Sequence, residues 1–395
     1  MADPWLTIIG IGEDGPAGLS DASRDALARA EIIFGGPRHL ELVGAGDKGR
    51  PWPVPFSVDP VLALAGRKVV VLASGDPFWH GAGGSLAAHL PAESWRALPA
   101  PSVFSLAAAR MGWRIEETIC IGLHAAPFDR LRPVLGPSQP IICTLRDGTA
   151  PAELAAWLTE QGFGASALTV FEALGGPRER IRSASAAAFD IADIAAPVSL
   201  AITPKGGKWL SRASGLADDL FAQDGQITKR PMRALTLSAL APRAGEHLWD
   251  IGAGSGSISV EWALCGAGCT ASAIEPRTDR LDFIRDNIHR FGLGHRITTI
   301  AGHAPDVLEN LPAPDAVFIG GGANDALLNT IWAMVPAGTR IVANSVTLES
   351  QELLTRWHQD KGGDLWRIDL AQAEPLGRMR GWKASRAQLQ WSVVK

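Results

Sequence analysis

The stretch that most constrains the fold lies in the second half of the chain. An apolar run from Leu248 ends at Asp250, and a loop with glycine at alternate positions follows: Gly252, Ala253, Gly254, Ser255 and Gly256. Glycine adopts positive φ at little cost and lets a ligand approach the backbone closely. The helix predicted at Ser257–Leu264 would direct its free N–H groups towards whatever this loop holds. The stretch therefore predicts a strand, a ligand-binding loop and a helix of an α/β fold.

The spacing of the glycines separates two classes of ligand. A dinucleotide-binding loop has its third glycine three positions after the second, and that position holds Ser257. The pattern resembles instead the S-adenosylmethionine loop of class I methyltransferases. This resemblance implies that the five loop residues bind the cofactor. A glycine-rich turn that serves only packing is the alternative.

A second signal follows the loop. Thr270–Ile274 is predicted to be a strand that ends at Glu275, about 20 residues beyond the glycines, where nucleotide-binding folds hold a ribose diol. A carboxylate offers two acceptor oxygens to two vicinal hydroxyls. The alternative is a solvated strand end. For Thr228, contact with the cofactor competes with capping of the helix that follows.

Composition limits the function classes. A length of 395 residues favours two domains. A net charge of −4 argues against nucleic acid as a partner. The sequence has no apolar run of ~18 residues and does not begin with a basic region followed by an apolar one, so we expect a cytoplasmic protein without a membrane span.

The few cysteines do not predict a metal site. Cys265 and Cys269 are close in sequence, but they lack a second cysteine pair or a histidine cluster. Small buried residues are the better interpretation, with a metal or redox pair as the alternative. We expect no metal and no disulfide framework.

The pattern of apolar runs predicts an α/β protein of two domains, residues 1–203 and 224–395, joined by a linker at 204–223. The first half alternates strands and helices, as a mostly parallel α/β domain does, and Val69–Ala73 is an unbroken apolar run typical of a strand buried on both faces. In the second domain, a mainly parallel sheet is predicted to end in two antiparallel strands, near 365–370 and 387–394.

The second domain resembles the decarboxylating corrin-ring methyltransferases of cobalamin biosynthesis, a branch of class I. The resemblance rests on five segments: Asp224–Lys229, Asp250–Gly256, Gly302–Pro305, Gly320–Asn324 and Ala343–Glu349. It implies that the backbone of Ala304 contacts the adenine. The chain has His303 where the family usually has aspartate, so a contact from that side chain is not implied.

The first domain resembles an unrelated class, the tetrapyrrole methylases. The segments that carry this resemblance are Gly10–Gly12, Ala73–Trp79, Pro101–Arg110, Leu123–Ala125 and Glu172–Gly176. It implies a second S-adenosylmethionine site, to which we assign Gly10, Gly12, Gly75, Asp76, Ser105 and Thr144. The chain departs from the common pattern at Glu13–Gly15 and at Ser102. For Asp76, a turn or helix cap is the alternative to a ligand role.

Together the two resemblances imply a bifunctional enzyme with one S-adenosylmethionine site in each domain. It would methylate precorrin-6B at carbons 5 and 15 and decarboxylate the ring C acetate, giving precorrin-8X. The second domain would act at carbon 15 and decarboxylate, and the first at carbon 5. The resemblance also implies a homo-oligomer. The rival functions are a dinucleotide-dependent oxidoreductase and a non-catalytic corrinoid- or cofactor-binding protein.

A tetrapyrrole is a small molecule that carries many carboxylates, so cations should line its cleft. Surface charge is the alternative for each lysine and arginine candidate, and a structural role is the alternative for His124. Residues 378–395, the acid-free end of the chain, contain Arg378, Arg380, Lys383, Arg386 and Lys395 and could form a rim that binds the carboxylates. The substrate-binding candidates are Lys229, Arg230, Arg233, Arg378, Arg380 and His124. We assign no catalytic residue, because the sequence contains no Ser–His–Asp or paired-carboxylate constellation and methyl transfer to a nucleophilic carbon needs mainly positioning.

Overall fold

The computed structural model describes residues 4–137 and 139–395. Residues 1–3, which begin the segment examined for a secretion signal, lie outside the described part. The chain divides into two compact units. The first comprises the described residues up to Phe128 together with Val134–Trp209, and the second comprises Asp129–Pro133 and Leu210–Lys395.

The first unit is an α/β structure with two five-stranded sheets. Its strands are β1 Leu6–Ile11, β2 Ile32–Gly35, β3 Gly49–Pro51, β4 Val69–Ser74, β5 Trp95–Leu98, β6 Ile119–Gly122, β7 Ile141–Thr144, β8 Ala167–Glu172, β9 Arg180–Ser185 and β10 Val198–Thr203. Its helices are α1 Asp21–Arg29, α2 Pro37–Leu42, α3 Asp59–Leu62, α4 Ala82–Ala87, α5 Val103–Met111 and α6 Ala150–Glu160.

The first sheet of this unit, in the order β3-β2-β4-β1-β5, is parallel, as predicted. The apolar run at Val69–Ala73 forms the buried strand β4. The second sheet, β6-β7-β10-β8-β9, is mixed: β6 and β7 are parallel, so parallel pairs still outnumber antiparallel ones in this unit, as predicted. Strand β10 is antiparallel to both β7 and β8. Strand β9 is antiparallel to β8, because the seven residues 173–179 that connect them are too few for a crossover helix.

The second unit contains a seven-stranded sheet and a separate two-stranded hairpin. Its strands are β11 His247–Ile251, β12 Thr270–Glu275, β13 Ile297–Ala301, β14 Ala316–Ile319, β15 Arg340–Ser345, β16 Asp364–Ile368, β17 Ala371–Leu376, β18 Met379–Ala384 and β19 Gln388–Val394. Its helices are α7 Arg230–Leu240, α8 Ser257–Cys265, α9 Thr278–Arg290, α10 Asp325–Met334 and α11 Leu348–Lys361.

The large sheet runs in the order β13-β12-β11-β14-β15-β19-β16, and the five strands from β13 to β15 are parallel. Strand β19 is antiparallel to both β15 and β16, as predicted for the end of the chain. The prediction of a short connection between these last strands is wrong, because the β17–β18 hairpin lies between them.

Helix α8 follows the glycine loop and is buried on almost every face, from Ser257 to Ala263. The carboxyl ends of β11, β12, β14 and β15 meet at one edge of the sheet, where open α/β sheets hold their ligands. Short 3-10 helices occur at Gly15–Gly18, Gly46–Lys48, Ala92–Ser94, Ile115–Glu117, Phe128–Leu131, Ala186–Ala188 and Asp218–Leu220.

The domain boundaries at 203 and 224 stay predictions. Within the segment 204–223, Leu216 and Phe221 are buried in the core of the second unit. No helix within residues 4–137 and 139–395 has the length and apolar character that a membrane crossing requires.

Candidate functional site

The glycine loop adopts the backbone conformation that its sequence predicts. Gly252, Gly254 and Gly256 have φ of +70°, +60° and +72°, the left-handed region that favours glycine. A Cβ at Gly252 would also lie 3.1 Å from the backbone N of Gly321. The loop therefore needs glycine for its torsions, and Gly252 needs it for close packing as well.

Glu275 ends β12 and is 3 % exposed. Its carboxylate accepts hydrogen bonds from the Gly254 N–H at 2.9 Å and from the Arg277 N–H at 3.1 Å. The strand end that we predicted to hold a ribose is thus tied to the middle of the glycine loop. Both Gly254 and Glu275 line the same cavity.

Asp250, just before the glycine loop, connects β11 to helix α8. It is fully buried, and one carboxylate oxygen accepts hydrogen bonds from Ser259 N–H at 3.1 Å and from Ser259 Oγ at 2.6 Å. Burial raises the pKa of Asp250 to about 6. These contacts fix the end of β11 against the first turn of α8.

A cavity of about 890 Å³ opens beside the loop. It brings together most of the cofactor-binding residues predicted for this unit. Those that line it are Thr228, Gly252, Ala253, Gly254, Ser255, Glu275 and Ala304. Gly256 lies behind the cavity, where it caps α8 and a Cβ would be 3.2 Å from Ile284 Cγ2. Lys229, not Thr228, is the cap residue of α7, so the capping alternative for Thr228 is wrong.

The structure separates the predicted substrate-binding cations. Lys229 lines the cavity. Arg230 is exposed at the start of α7 and is not among the lining residues. Arg378 precedes β18 and Arg380 lies within it, both exposed on the hairpin and outside the lining residues.

Arg233 requires a correction, because the structure does not bring it into the cavity. Its guanidinium is fully buried and pairs with Glu261 at 2.5 Å and with Asp218 at 3.0 Å. It also donates to the Thr228 carbonyl and lies 4.7 Å above the ring centroid of Phe221. All three guanidinium nitrogens bond inside the protein, so the buried Arg233 stabilises residues 216–228 and does not face a substrate carboxylate.

Sequence reasoning missed the far end of this cavity. Asn344 and Ser345 of β15, Gln388 at the start of β19 and Arg386 just before it line this end. Asn344 and Ser345 stand in a segment that carried the family resemblance, without an assigned role. Arg386 stands in the acid-free end of the chain that we predicted as a rim for carboxylates, although it was not among the named substrate-binding candidates.

A second cavity, of about 730 Å³, lies within the first unit. Of the residues predicted for this unit, Gly12, Gly75, His124 and Thr144 line it. His124 Nδ1 is 3.2 Å from Thr144 Oγ1, so these two candidates contact each other.

Three predicted residues of this unit are not among the lining residues. Gly10 packs inside the sheet, where a Cβ would lie 1.8 Å from the Gly75 carbonyl oxygen. Asp76 accepts a hydrogen bond from Phe78 N–H at 2.8 Å, the turn that was its alternative role. Ser105 lies in the first turn of α5 and donates its N–H to Ser102 Oγ.

Sequence reasoning also missed a polar cluster in the second cavity, formed by Glu13, Arg38, His39 and Ser74. Arg38 pairs with Glu13 and donates to Ser74 Oγ at 3.1 Å, and His39 Nε2 lies 2.9 Å from the same oxygen. Burial, with a smaller effect from Arg38, lowers the pKa of His39 to about 4. The His39 side chain is therefore neutral near pH 7.

Comparisons with known proteins agree with the family resemblance predicted for each of the two domains. Residues 219–395 match the family described as a precorrin methyltransferase domain, and residues 5–190 match the tetrapyrrole (corrin/porphyrin) methylases. A precorrin-6Y C(5,15)-methyltransferase [decarboxylating] from Sinorhizobium sp is 45% identical over 404 residues, which cover 100% of this chain and 97% of that protein.

A protein of the same name from Mycobacterium tuberculosis (strain CDC 1551 / Oshkosh) is 38% identical over 99% of this chain and 100% of its own length. The solved C-terminal domain of precorrin-6Y C5,15-methyltransferase from Rhodobacter capsulatus is 60% identical and covers 47% of this chain and 100% of that domain, with a TM-score of 0.46. The chain belongs to the family of decarboxylating precorrin-6Y C(5,15)-methyltransferases, which are S-adenosylmethionine-dependent enzymes.

Proposed function

We propose that this chain methylates precorrin-6B at carbons 5 and 15 and removes the carboxylate of the ring C acetate as carbon dioxide, with one S-adenosylmethionine site in each unit. The observation that carries the proposal is the presence of a separate cavity in each unit, lined by the segments that resemble two unrelated methyltransferase classes. The second unit would act at carbon 15 and decarboxylate, and the first at carbon 5.

In the second unit, Glu275 and the glycine loop suit the adenosine half of the cofactor. The Gly254 N–H holds the Glu275 carboxylate, whose remaining acceptor capacity can take ribose hydroxyls. Ser255 Oγ is buried and has no hydrogen-bond partner among the described residues, although it lines the cavity. A buried hydroxyl of this kind fits a polar ligand. Thr228 and the Ala304 backbone would complete the contacts.

When bound, S-adenosylmethionine supplies an electrophilic methyl group on a sulfonium. The residues around it have to hold the acceptor carbon near this methyl group and exclude water, which can account for several kcal/mol of the barrier. Lys229 lines the same cavity, and we propose that it attracts a carboxylate of the substrate. Arg378 and Arg380 remain candidates for the rim, because the chain leads from their hairpin directly to Ser385 and Arg386, which line the cavity.

In the first unit, Gly12, Gly75 and Thr144 would contact the second cofactor, and His124 would stand at the substrate side of the cavity. Gly75 has φ of +58°, and a Cβ there would lie 2.7 Å from Ser102 Cα, so the loop after β4 tolerates only glycine. Torsion and packing against Ser102 explain this glycine, and Gly75 also lines the cavity.

Calorimetric titration of the full chain tests the assignment of two sites. We expect S-adenosylhomocysteine to bind with a stoichiometry of two per chain and NADH to bind weakly or not at all. The Glu275→Ala variant should retain one of the two sites. Tight NADH binding would favour the oxidoreductase alternative, and a stoichiometry of one would contradict the second cofactor site.

The oligomeric state is a separate proposal. We propose a homo-oligomer in solution, on the resemblance alone, and light scattering behind a sizing column would measure it. A mass equal to that of one chain would contradict it.

A further inference from the structure

The end of the cavity furthest from Glu275 contains a buried hydroxyl without a partner. Ser345 is the last residue of β15, is 5 % exposed and lines the cavity. Its Oγ has no hydrogen-bond partner in the part of the chain that the structure describes. Buried polar groups are almost always satisfied, so this hydroxyl fits a ligand that supplies the missing bond.

The neighbour of Ser345 is held by a small network of uncharged groups. Asn344 Nδ2 donates to Thr236 Oγ1 at 2.9 Å. Gln390 Nε2 donates to Asn344 Oδ1 at 3.0 Å and to Thr236 Oγ1 at 3.2 Å. Thr236 is fully buried and Gln390 nearly so. The part of the lining that Asn344 forms next to Ser345 is therefore polar, uncharged and fixed.

The sheet order places this end away from the ribose site. Strands β11 and β14 separate β12, which carries Glu275, from β15. Three strand spacings amount to about 14 Å between Glu275 and Ser345 across the sheet. A cofactor that extends from Glu275 over the glycine loop would therefore point its reactive end towards β15, which makes the Ser345 end the position of the methyl acceptor.

One arginine at this end is available for an anion. Arg277 pairs with Asp279 and Arg280 with Asp224, although both line the cavity. Arg386 also lines it, is exposed, and has no ion-pair partner within residues 4–137 and 139–395. It precedes β19, whose Leu389 pairs with Ser345 in the sheet.

The chemistry of decarboxylation requires different surroundings for the carboxylate that leaves and for those that remain. A cation stabilises a carboxylate more than it stabilises neutral carbon dioxide, so an arginine on the reacting group would raise the barrier. A neutral hydroxyl can orient the group without this penalty. We propose that Ser345, next to the fixed Asn344, holds the carboxylate that is lost, and that Arg386 binds a carboxylate that the product retains. This inference rests on the proposed function.

The step balances without a further reactant. The electron pair at carbon 15 forms the new bond to the methyl carbon, and the carbon–sulfur bond breaks with its pair on sulfur, which leaves the ring system positively charged. The pair of the bond to the carboxylate then moves into the conjugated ring and cancels this charge as carbon dioxide departs. The side-chain carbon gains one proton, and carbon 15 loses one.

The test measures the fraction of methylated product that has also lost its carboxylate. The full chain is incubated with precorrin-6B and S-adenosylmethionine, and product masses are determined for the wild type, Ser345→Ala and Ser345→Thr. We expect Ser345→Ala to accumulate methylated product that keeps its acetate and is therefore ~44 mass units heavier than the wild-type product. Ser345→Thr, which keeps a hydroxyl, should restore at least half of the decarboxylation.

Ser255→Ala is a matched control, because it removes the other unpartnered buried hydroxyl of the cavity. It should slow methylation without changing the decarboxylated fraction. Arg386→Ala should raise KM for precorrin-6B about tenfold, again with an unchanged fraction.

An unchanged decarboxylated fraction in Ser345→Ala, or an equal loss of both reactions in a variant that still binds S-adenosylhomocysteine, would overturn the inference. If Ser345→Ala does not fold, Ser345→Cys, which keeps the volume but weakens the hydrogen bond, gives the same readout. A wild-type chain that does not methylate precorrin-6B would instead contradict the proposed function.

Discussion

The backbone N–H of Gly254 donates a 2.9 Å hydrogen bond to the buried carboxylate of Glu275. This bond joins the loop after β11 to the end of β12, the two elements that the sequence marks as a nucleoside-binding unit. Because the bond positions the carboxylate before any ligand arrives, part of the ordering cost of binding is removed in advance.

Glu275→Ala should weaken binding of S-adenosylhomocysteine to the second unit by roughly 10- to 100-fold, since hydrogen bonds to a charged group contribute about 1.5–3 kcal/mol. Calorimetry on the full chain measures the effect. Glu309→Ala is the matched control, because Glu309 is exposed and does not line the cavity. Equal affinities in the two variants would remove Glu275 from the site.

Gly254→Ala should destabilise the fold by about 1 kcal/mol, because alanine is strained at φ of +60°. It should also weaken cofactor binding. Gly245→Ala separates the two effects, since Gly245 has φ of +83° and open space around it but lies outside the cavity. We expect similar losses of unfolding free energy in urea and a loss of affinity only in Gly254→Ala. Identical affinities would contradict the role of the loop.

Arg233→Met should lower the free energy of unfolding by about 3–5 kcal/mol, because it leaves the buried carboxylate of Glu261 without its cation. Glu261 also accepts hydrogen bonds from the backbone of Leu216, so the segment before α7 should loosen. Arg230→Ala, at an exposed position of the same helix, should change stability by less than about 0.5 kcal/mol. A raised KM in a fully stable Arg233→Met protein would restore Arg233 as a substrate contact.

His39 should make the stability of the first unit depend on pH. Its pKa is lowered to about 4, so the unfolded chain binds the proton first as the pH falls below about 6.5. The stabilisation from neutral His39 is complete above pH 6.5 and is lost as the pH falls to about 4. His39→Gln should flatten the decrease of the melting temperature over this range, whereas the exposed His89→Gln should leave it unchanged. Parallel pH curves for the wild type and His39→Gln would refute this account.

Local patterns in the sequence predict the elements that depend on local physics. The glycine loop, the acidic end of β12 and the buried run of β4 follow from torsional preference and from hydrophobic patterning, and the structure contains all three. The β17–β18 hairpin is different, because the apolar residues that alternate along Ala371–Glu374 are only alanines, and the strand contains Pro375. Its pairing was therefore not predicted.

The candidate site likewise contains residues that local sequence patterns predict and residues that they do not. Glu275 lies one strand from the glycine loop, so a local pattern finds it. Ser345 at the end of β15 and Arg386 just before β19 follow much later in the chain, and only the sheet order brings them to the cavity. Arg233 shows the opposite problem. Its charge predicts a ligand for carboxylates, but the burial that decides its role depends on Glu261 in another helix.

The most direct test of the central claim is the mass of the product that one chain forms from precorrin-6B and excess S-adenosylmethionine. Two methyl transfers and one decarboxylation require two gains of ~14 mass units and one loss of ~44 in a single product. We expect this product from the full chain without any other enzyme. A product with one methyl group, or with two methyl groups and its full set of carboxylates, would contradict the account.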